Sequence, residues 1–261
     1  MIGIFDSGLG GLTVARAIMD ELPGYDITYF GDTARTPYGA KSAATVKKYA
    51  LEDIDFLLSK GARVIVMACN SASSVVTEPV IRTLPVPVFE VISPAVSLAA
   101  GHSRTGTIGV IGTRATINSG IYKTKILEQR PQARVYSAAC PLLVPLVEEG
   151  WINKPETAMI VKKYLRPLKT RNIDTLILGC THYPILKKII SRKIGPRTLA
   201  IDSSTAVARA LKKYFETNPE IEKTITRNGR SNFYTSDITK QFCETAGMIL
   251  KTKVSLEQVS L

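Results

Sequence analysis

Short runs of apolar residues alternate with longer stretches whose apolar positions step by three and four. Strands are expected at Ile2 to Phe5, Ile27 to Phe30, Val64 to Met67, Val86 to Ile92, Thr107 to Ile111, Arg134 to Ala139, Thr175 to Leu178 and Leu199 to Asp202. Several of these are apolar without alternation, as strands covered on both faces require. Between Ser42 and Ser59, the positions Ala43, Val46, Ala50, Ile54 and Leu57 mark one face of an amphipathic helix that covers a sheet. Further helices are expected over 12–22, from Cys69 to about Leu84, onward from Ile117, over 155–168, after Asp202 through Phe215, and over 238–250. A strand from Asn232 precedes the last of these, and the polar stretch Thr217 to Arg230 reads as a loop. Strand–helix alternation of this kind predicts parallel sheets in an α/β fold.

One element occurs twice. Thr175 to Leu178 runs into Gly179, then Cys180, Thr181, His182, Tyr183 and Pro184. Val64 to Met67 runs into Ala68, then Cys69, Asn70, Ser71, Ala72 and Ser73. Each cysteine stands at the carboxyl end of a strand, where open α/β sheets place ligands. Thr181 suits an N-cap and Pro184 a first helical turn, so a helix dipole would favour a thiolate there. A single such cysteine is equally well a packing residue. Two in matching contexts predict two similar halves that face each other across a cleft.

Composition narrows the class. A length of 261 residues, 45% hydrophobic and 21% charged, accommodates two small globular domains. The four cysteines follow neither a disulfide framework nor a zinc spacing, so a reducing cytoplasmic setting is expected and no metal. Met1 leads at once into an expected strand, so no signal peptide is expected, and no apolar run reaches membrane-spanning length. The net charge of +12 is spread over helices as pairs such as Lys47-Lys48 and Lys187-Lys188. That pattern predicts a solvated basic surface that draws in a small anion, and not a nucleic-acid interface.

Several loops carry candidate chemistry. Asp6-Ser7-Gly8-Leu9-Gly10-Gly11 invites a dinucleotide reading, but Thr13 stands where the third glycine is needed, and the loop has no P-loop lysine. It is either a site for a zwitterion, with Asp6 for an ammonium or a base and Ser7 for a carboxylate, or a tight turn with a helix cap. Pro37 and Gly39 shape the polar loop 31–39, in which Tyr38 either closes over a ligand or packs. Thr113 and Thr116 either cradle a carboxylate or cap a helix. Glu148 and Glu149 end an apolar run, and either include a buried carboxylate with a raised pKa or open the exposed part of a helix.

Two facing cysteines suit proton transfer at a stereocentre. Inversion of a Cα–H centre needs a base on one face and an acid on the other, with the roles exchanged in reverse. Near-matched thiol and thiolate groups meet that need. Hydrolytic Cys–His chemistry would leave one cysteine idle. Asn70, Ser71, Thr181, Ser7, Thr113 and Thr116 are donors able to hold a substrate carboxylate and its carbanion. No phosphate cup with a Schiff-base lysine is evident, so no pyridoxal cofactor is expected.

Six stretches carry a resemblance: Phe5 to Leu12, Gly31 to Gly39, Ala68 to Ser73, Gly112 to Thr116, Val144 to Gly150 and Gly179 to Pro184. In this order the chain resembles the cofactor-independent aspartate/glutamate racemase family, in particular its bacterial glutamate racemases. The resemblance implies two pseudo-symmetric α/β halves with the site between them. Residues 1–95 with 207–261 would form the half with Asp6 and Cys69, and residues 96–206 the half with Thr113, Glu148 and Cys180. It also implies interconversion of L- and D-glutamate without a cofactor, for peptidoglycan, by a homodimer. Cys69 would act on the D enantiomer with help from Asp6, and Cys180 on the L enantiomer with help from His182 and Glu148. Ser7, Tyr38, Gly39, Asn70, Ser71, Thr181 and His182 would bind substrate. Ser71 departs from the family's usual threonine, which keeps the hydroxyl and loosens the pocket by a methyl. Rival expectations are a racemase or isomerase of aspartate or another small dicarboxylate, and a non-catalytic protein that only binds in the cleft or regulates gyrase.

Overall fold

A computed structural model, which describes residues 1–252 and 254–260, shows two parallel sheets built on one plan. The first begins with β1 (Ile2–Asp6), α1 (Leu12–Glu21), β2 (Ile27–Gly31), α2 (Ala43–Ser59), β3 (Val64–Met67), the short helices α3 (Asn70–Ser73) and α4 (Glu78–Ile81), and β4 (Val88–Glu90). Between β2 and α2 lie two 3-10 turns, at Thr33–Arg35 and Tyr38–Ala40. α5 (Ile92–His102) carries the chain across. The second sheet is built from β5 (Thr107–Gly112), α6 (Arg114–Asn118), α7 (Ile121–Gln129), β6 (Arg134–Ala139), α8 (Leu143–Glu148), α9 (Pro155–Lys169), β7 (Thr175–Gly179), a 3-10 turn at Tyr183–Leu186, α10 (Lys187–Ile194) and β8 (Leu199–Asp202). α11 (Ser203–Thr217) returns to the first half, followed by α12 (Pro219–Glu222), β9 (Ser231–Thr235), α13 (Lys240–Leu250) and β10 (Leu256–Gln258).

The strand orders show the pseudo-symmetry. The first sheet runs β10-β9-β2-β1-β3-β4 and the second β6-β5-β7-β8. Without β9 and β10, the two orders are the same, and all of these pairings are parallel. β1, β2, β3, β5 and β7 are buried along their whole length, as their apolar sequences require. Ile4, Val66, Leu12 and Val207 belong to a core on one face of the first sheet, and Phe5, Met67, Ile54 and Leu57 to a core on the other. The second sheet is likewise covered on both faces, with Leu176 and Leu165 in one core and Ile177 and Ile126 in the other.

Several local expectations are corrected. The helix after Cys69 does not run to Leu84. It stops at Ser73, and Pro79 in the first turn of α4 fixes a separate start. The strand expected over Val86 to Ile92 is only Val88–Glu90, because the Glu90 carboxylate accepts the N–H groups of Ile92 (2.5 Å) and Ser93 (2.9 Å) and starts α5 there. α6 begins at Arg114 and not Ile117, since Thr113 caps it by accepting the Thr116 N–H at 3.3 Å. Thr181 caps no helix. A 3-10 turn follows Cys180, and regular helix starts only at Lys187. Pro184 does occupy the first turn of that 3-10 segment. The polar stretch 217–230 includes the single turn α12, and β10 is an addition that the sequence pattern does not reveal.

Candidate active site

In the shared order 2-1-3-4, the chain reverses direction across the sheet between its first and third strands. Loops leaving the carboxyl ends of those two strands therefore lie side by side over a crevice. In the first half they carry Ser7 after β1 and Cys69, Asn70 and Ser71 after β3. In the second they carry Thr113 after β5 and Cys180, Thr181 and His182 after β7. The two crevices face each other. With the loop after β2 and the segment around α8, they enclose a cavity of about 180 Å³.

Its wall contains Ser7, Tyr38, Gly39, Cys69, Asn70, Ser71, Thr113, Glu148, Cys180, Thr181 and His182. Two of the expected site residues stand behind it, Asp6 and Thr116, both buried. The wall also contains Thr36, Pro37, Ala40, Arg114, Pro141, Val144 and Pro145, which the sequence did not single out as site residues. All seven lie in or beside stretches noted for their motifs. A prolyl or valyl wall residue carries the same apolar signal as a core residue, and so goes unnoticed.

On the first side, the Cys69 thiol donates to Ser7 Oγ at 3.5 Å. Burial, reinforced by the Asp6 carboxylate, pushes its pKa up to about 12, against the pull of Ser7 and the Ala72 N–H. Cys69 does stand at a helix N-cap, but α3 spans only four residues and its dipole does not offset burial. The resting group is a thiol; at Cys180, for which a helix dipole was expected, a 3-10 turn stands in place of the regular helix. The Asp6 carboxylate is fully enclosed. Its Oδ2 accepts from the N–H groups of Gly8 (3.1 Å) and Gly11 (2.9 Å), and its Oδ1 from Thr181 Oγ1 (3.3 Å). Burial raises its pKa, partly countered by His182 and these donors. Asp6 therefore borders the cavity only through its neighbours, and an ammonium in the cavity would not meet it directly.

On the second side, Cys180 Sγ stands 3.9 Å from His182 Nδ1, and His182 Nε2 stands 3.1 Å from Glu148 Oε1. Burial would lower the imidazole pKa, but the bonds to Cys180 and Glu148 outweigh it and raise it to about 10. His182 is thus an imidazolium at neutral pH, a proton donor within reach of Cys180. Glu148 ends α8 with 37% of its side chain open, so it is not a buried carboxylate. Glu149 is exposed.

The remaining polar groups form a donor-rich rim. Ser71 Oγ lies 3.1 Å from Thr113 Oγ1 and 3.4 Å from Thr116 Oγ1, and the two threonine hydroxyls are 3.1 Å apart. Thr113 and Thr116 thus cap α6 and also reach the first half. Asn70 Nδ2 is buried and, among the described residues, has no hydrogen-bond partner, which leaves it free for a ligand. Tyr38 reaches the wall, but its hydroxyl is bonded to Asp32 and, at 2.9 Å, to Asp53, so that hydroxyl is not offered to a ligand. Gly39 abuts the second half. A Cβ there would come 2.8 Å from Thr113 Cβ, so any side chain would push the rim apart. Arg114 is exposed at the mouth. Among the described residues, no group of three or more His, Cys, Asp or Glu side chains is placed to hold a metal, and no helix is long and apolar enough to cross a membrane.

Comparison with known proteins agrees with this architecture. Residues 13–211 match the model of the Asp/Glu/Hydantoin racemase family. The glutamate racemase of Persephonella marina is 46% identical over 260 residues, covering 100% of this chain and 97% of that protein. The crystal structure of a glutamate racemase isoform from Bacillus anthracis superposes with a TM-score of 0.93 at 35% identity, over 100% of this chain and 97% of that one. The glutamate racemase of Francisella tularensis, solved in complex with D-glutamate, gives a TM-score of 0.90 at 40% identity, over 99% and 97%.

Proposed function

Because the chain belongs to the Asp/Glu/Hydantoin racemase family and is an amino-acid racemase, we propose that it interconverts L- and D-glutamate without a cofactor, using Cys69 and Cys180 as the two proton carriers. One observation carries this reading. A cysteine from each half, following topologically equivalent strands, lines a single cavity. The names of the relatives favour glutamate over aspartate.

From L-glutamate, the Cys180 thiolate takes the α-proton while the Cys69 thiol gives its own to the opposite face. The carbanion's charge spreads into the carboxylate, where Asn70 Nδ2 and the hydroxyls of Ser71 and Thr113 are placed to receive it. Ser7 and Thr181 complete the donor set, and the backbone of the loop holding Tyr38 and Gly39 closes one wall. The imidazolium of His182, steadied by Glu148, stabilises the Cys180 thiolate before the transfer; afterwards Cys180 is a thiol and Cys69 a thiolate, and the next cycle from L-glutamate follows once Cys180 has released its proton to solvent and Cys69 has taken one up. In reverse, Cys69 must ionise despite its burial. The substrate ammonium helps, because a cation in a dry pocket favours the adjacent thiolate. Under the same reading, residues 1–95 with 207–261 and residues 96–206 are the two working halves. The enzyme is a cytoplasmic homodimer that supplies D-glutamate to peptidoglycan.

The test is L-glutamate with purified protein in D₂O and no added cofactor. Loss of the Cα–H proton signal together with decay of the circular dichroism to zero is expected. Cys69→Ser and Cys180→Ser should each lower turnover at least ~1000-fold while leaving the far-ultraviolet spectrum unchanged. Unchanged glutamate, with aspartate consumed in a parallel sample, would move the assignment to the shorter dicarboxylate. Near-normal turnover by either variant would refute the two-cysteine scheme.

A further inference from the structure

Tyr122 lies outside the cavity wall, on α7 of the second half, and is 2% exposed. Its hydroxyl crosses to the first half and donates to Asn70 Oδ1 at 2.6 Å. Its ring rests against Gly179, where a Cβ would approach Cε2 to 3.0 Å. Gly179 directly precedes Cys180, and Asn70 directly follows Cys69. One side chain therefore touches both cysteine-bearing elements.

The direction of this bond decides what the cavity presents. An amide has a donating end and an accepting end, and rotation by half a turn exchanges them. If Asn70 Nδ2 faced Tyr122, the phenol would have to accept, and its own buried proton would have no partner. With Oδ1 facing Tyr122, the phenolic proton is used and only Nδ2 remains unpaired. Burial raises the phenol's pKa well above its ordinary value, so it stays a donor throughout the working range.

We propose that Tyr122 is a positioning residue: by holding Asn70 Oδ1 it locks the amide with Nδ2 turned to the substrate carboxylate. The inference deepens the glutamate reading above and rests on it. Without the phenolic hydroxyl the amide is free to turn, and half of its orientations point a carbonyl oxygen at an anion.

The experiment compares wild type, Tyr122→Phe, Asn70→Ala and the double variant. KM and kcat are measured for both enantiomers, and the affinity for D-glutamate by calorimetry. Tyr122→Phe keeps the ring against Gly179, so Tm should fall by only a few degrees. KM and the dissociation constant should rise about tenfold for both enantiomers, with kcat changed less than about threefold. In the Asn70→Ala background, Tyr122→Phe should weaken binding less than about twofold further, because there is no amide left to orient. Unchanged affinity in Tyr122→Phe overturns the proposal, and so do additive losses in the double variant. Wild type that binds glutamate without racemising it defeats the racemase reading and leaves this inference to the calorimetric cycle. Wild type that does not bind glutamate defeats both.

Discussion

At the scale of single residues, the two cysteines that line the cavity are not equivalent. Cys69 is a thiol backed by a buried carboxylate, whereas Cys180 faces an imidazolium that Glu148 holds in place. His182 has its pKa raised from 6.5 to about 10. The stability it contributes is therefore fully present below about pH 6.5 and is lost as pH rises through about 10. Wild type should exceed His182→Asn in unfolding free energy by on the order of a few kcal/mol at pH 6, and the gap should close towards pH 10. Denaturant titrations of both proteins across that range measure it, and a gap that does not vary with pH would mean that His182 is not held protonated. The cysteines were legible in the sequence because each ends an apolar run. Tyr122 was not, since a tyrosine on an amphipathic helix has the pattern of a core residue until its partner across the halves is known. The position of Asp6 behind the wall was hidden for a similar reason. It follows from the closure of the glycine loop upon it, with the N–H groups of Gly8 and Gly11 turned inward.

At the scale of elements, the loop after β2 owes its shape to ion pairs outside the cavity. Arg35 Nε donates to Asp32 at 2.6 Å and an NH2 to Asp53 at 2.9 Å, and the remaining nitrogen reaches Glu52. The Tyr38 hydroxyl bridges the same two buried aspartates. A phenol has one proton for two carboxylates. Burial and the nearby Asp32 raise the Asp53 pKa well above the usual carboxylate range, so a proton on Asp53 completes the second bond. This cluster ties the loop carrying Thr36 to Ala40 to α2. Arg35→Met should cost about 3 kcal/mol in chemical denaturation, because it leaves the Asp32 carboxylate buried without its cation and Asp53 without a donor. Arg35→Lys should recover less than half, since one ammonium cannot span three carboxylates. A loss under about 1 kcal/mol for Arg35→Met would show that the aspartates are satisfied without it. Repeated strands and the long helix α2 were legible from periodicity. The start of α5 was not, because its N–H groups are capped by Glu90 from within the preceding strand.

At the scale of the whole molecule, two helices join the halves. The first turns of α11 pack on the second half through Ala206, and the rest on the first half through Val207, Leu211 and Phe215. α5 packs on the second half through Ile92, Ala95 and Val96. Across the cleft, Thr181 bonds Asp6 and Ser71 bonds Thr113, so the contacts that join the halves are made by residues of the site itself. The net charge of +12 acts at this scale too. It should draw anionic glutamate towards the cleft, so kcat/KM should fall about threefold between roughly 0.02 and 0.5 M salt, through KM and not kcat. A salt-independent KM would show that the basic surface has no such part. The two-sheet plan was legible from the alternation of strands and helices and from the twin cysteines. The particular bonds that close the cleft, Ser71 with Thr113 and Thr181 with Asp6, were not, because they join residues 42 and 175 positions apart that no local pattern relates.

The six-stranded sheet also has a history in time. Its strands β1 to β4 are made first, but β2 gains its outer neighbour only when β9 is made, after the entire second sheet. On the ribosome, the four-stranded sheet can close while the earlier one still shows an open edge. The half that carries Cys69 is begun first and finished last. Any pause in translation between β8 and β9 therefore exposes β2, an apolar strand with free backbone groups, to other chains.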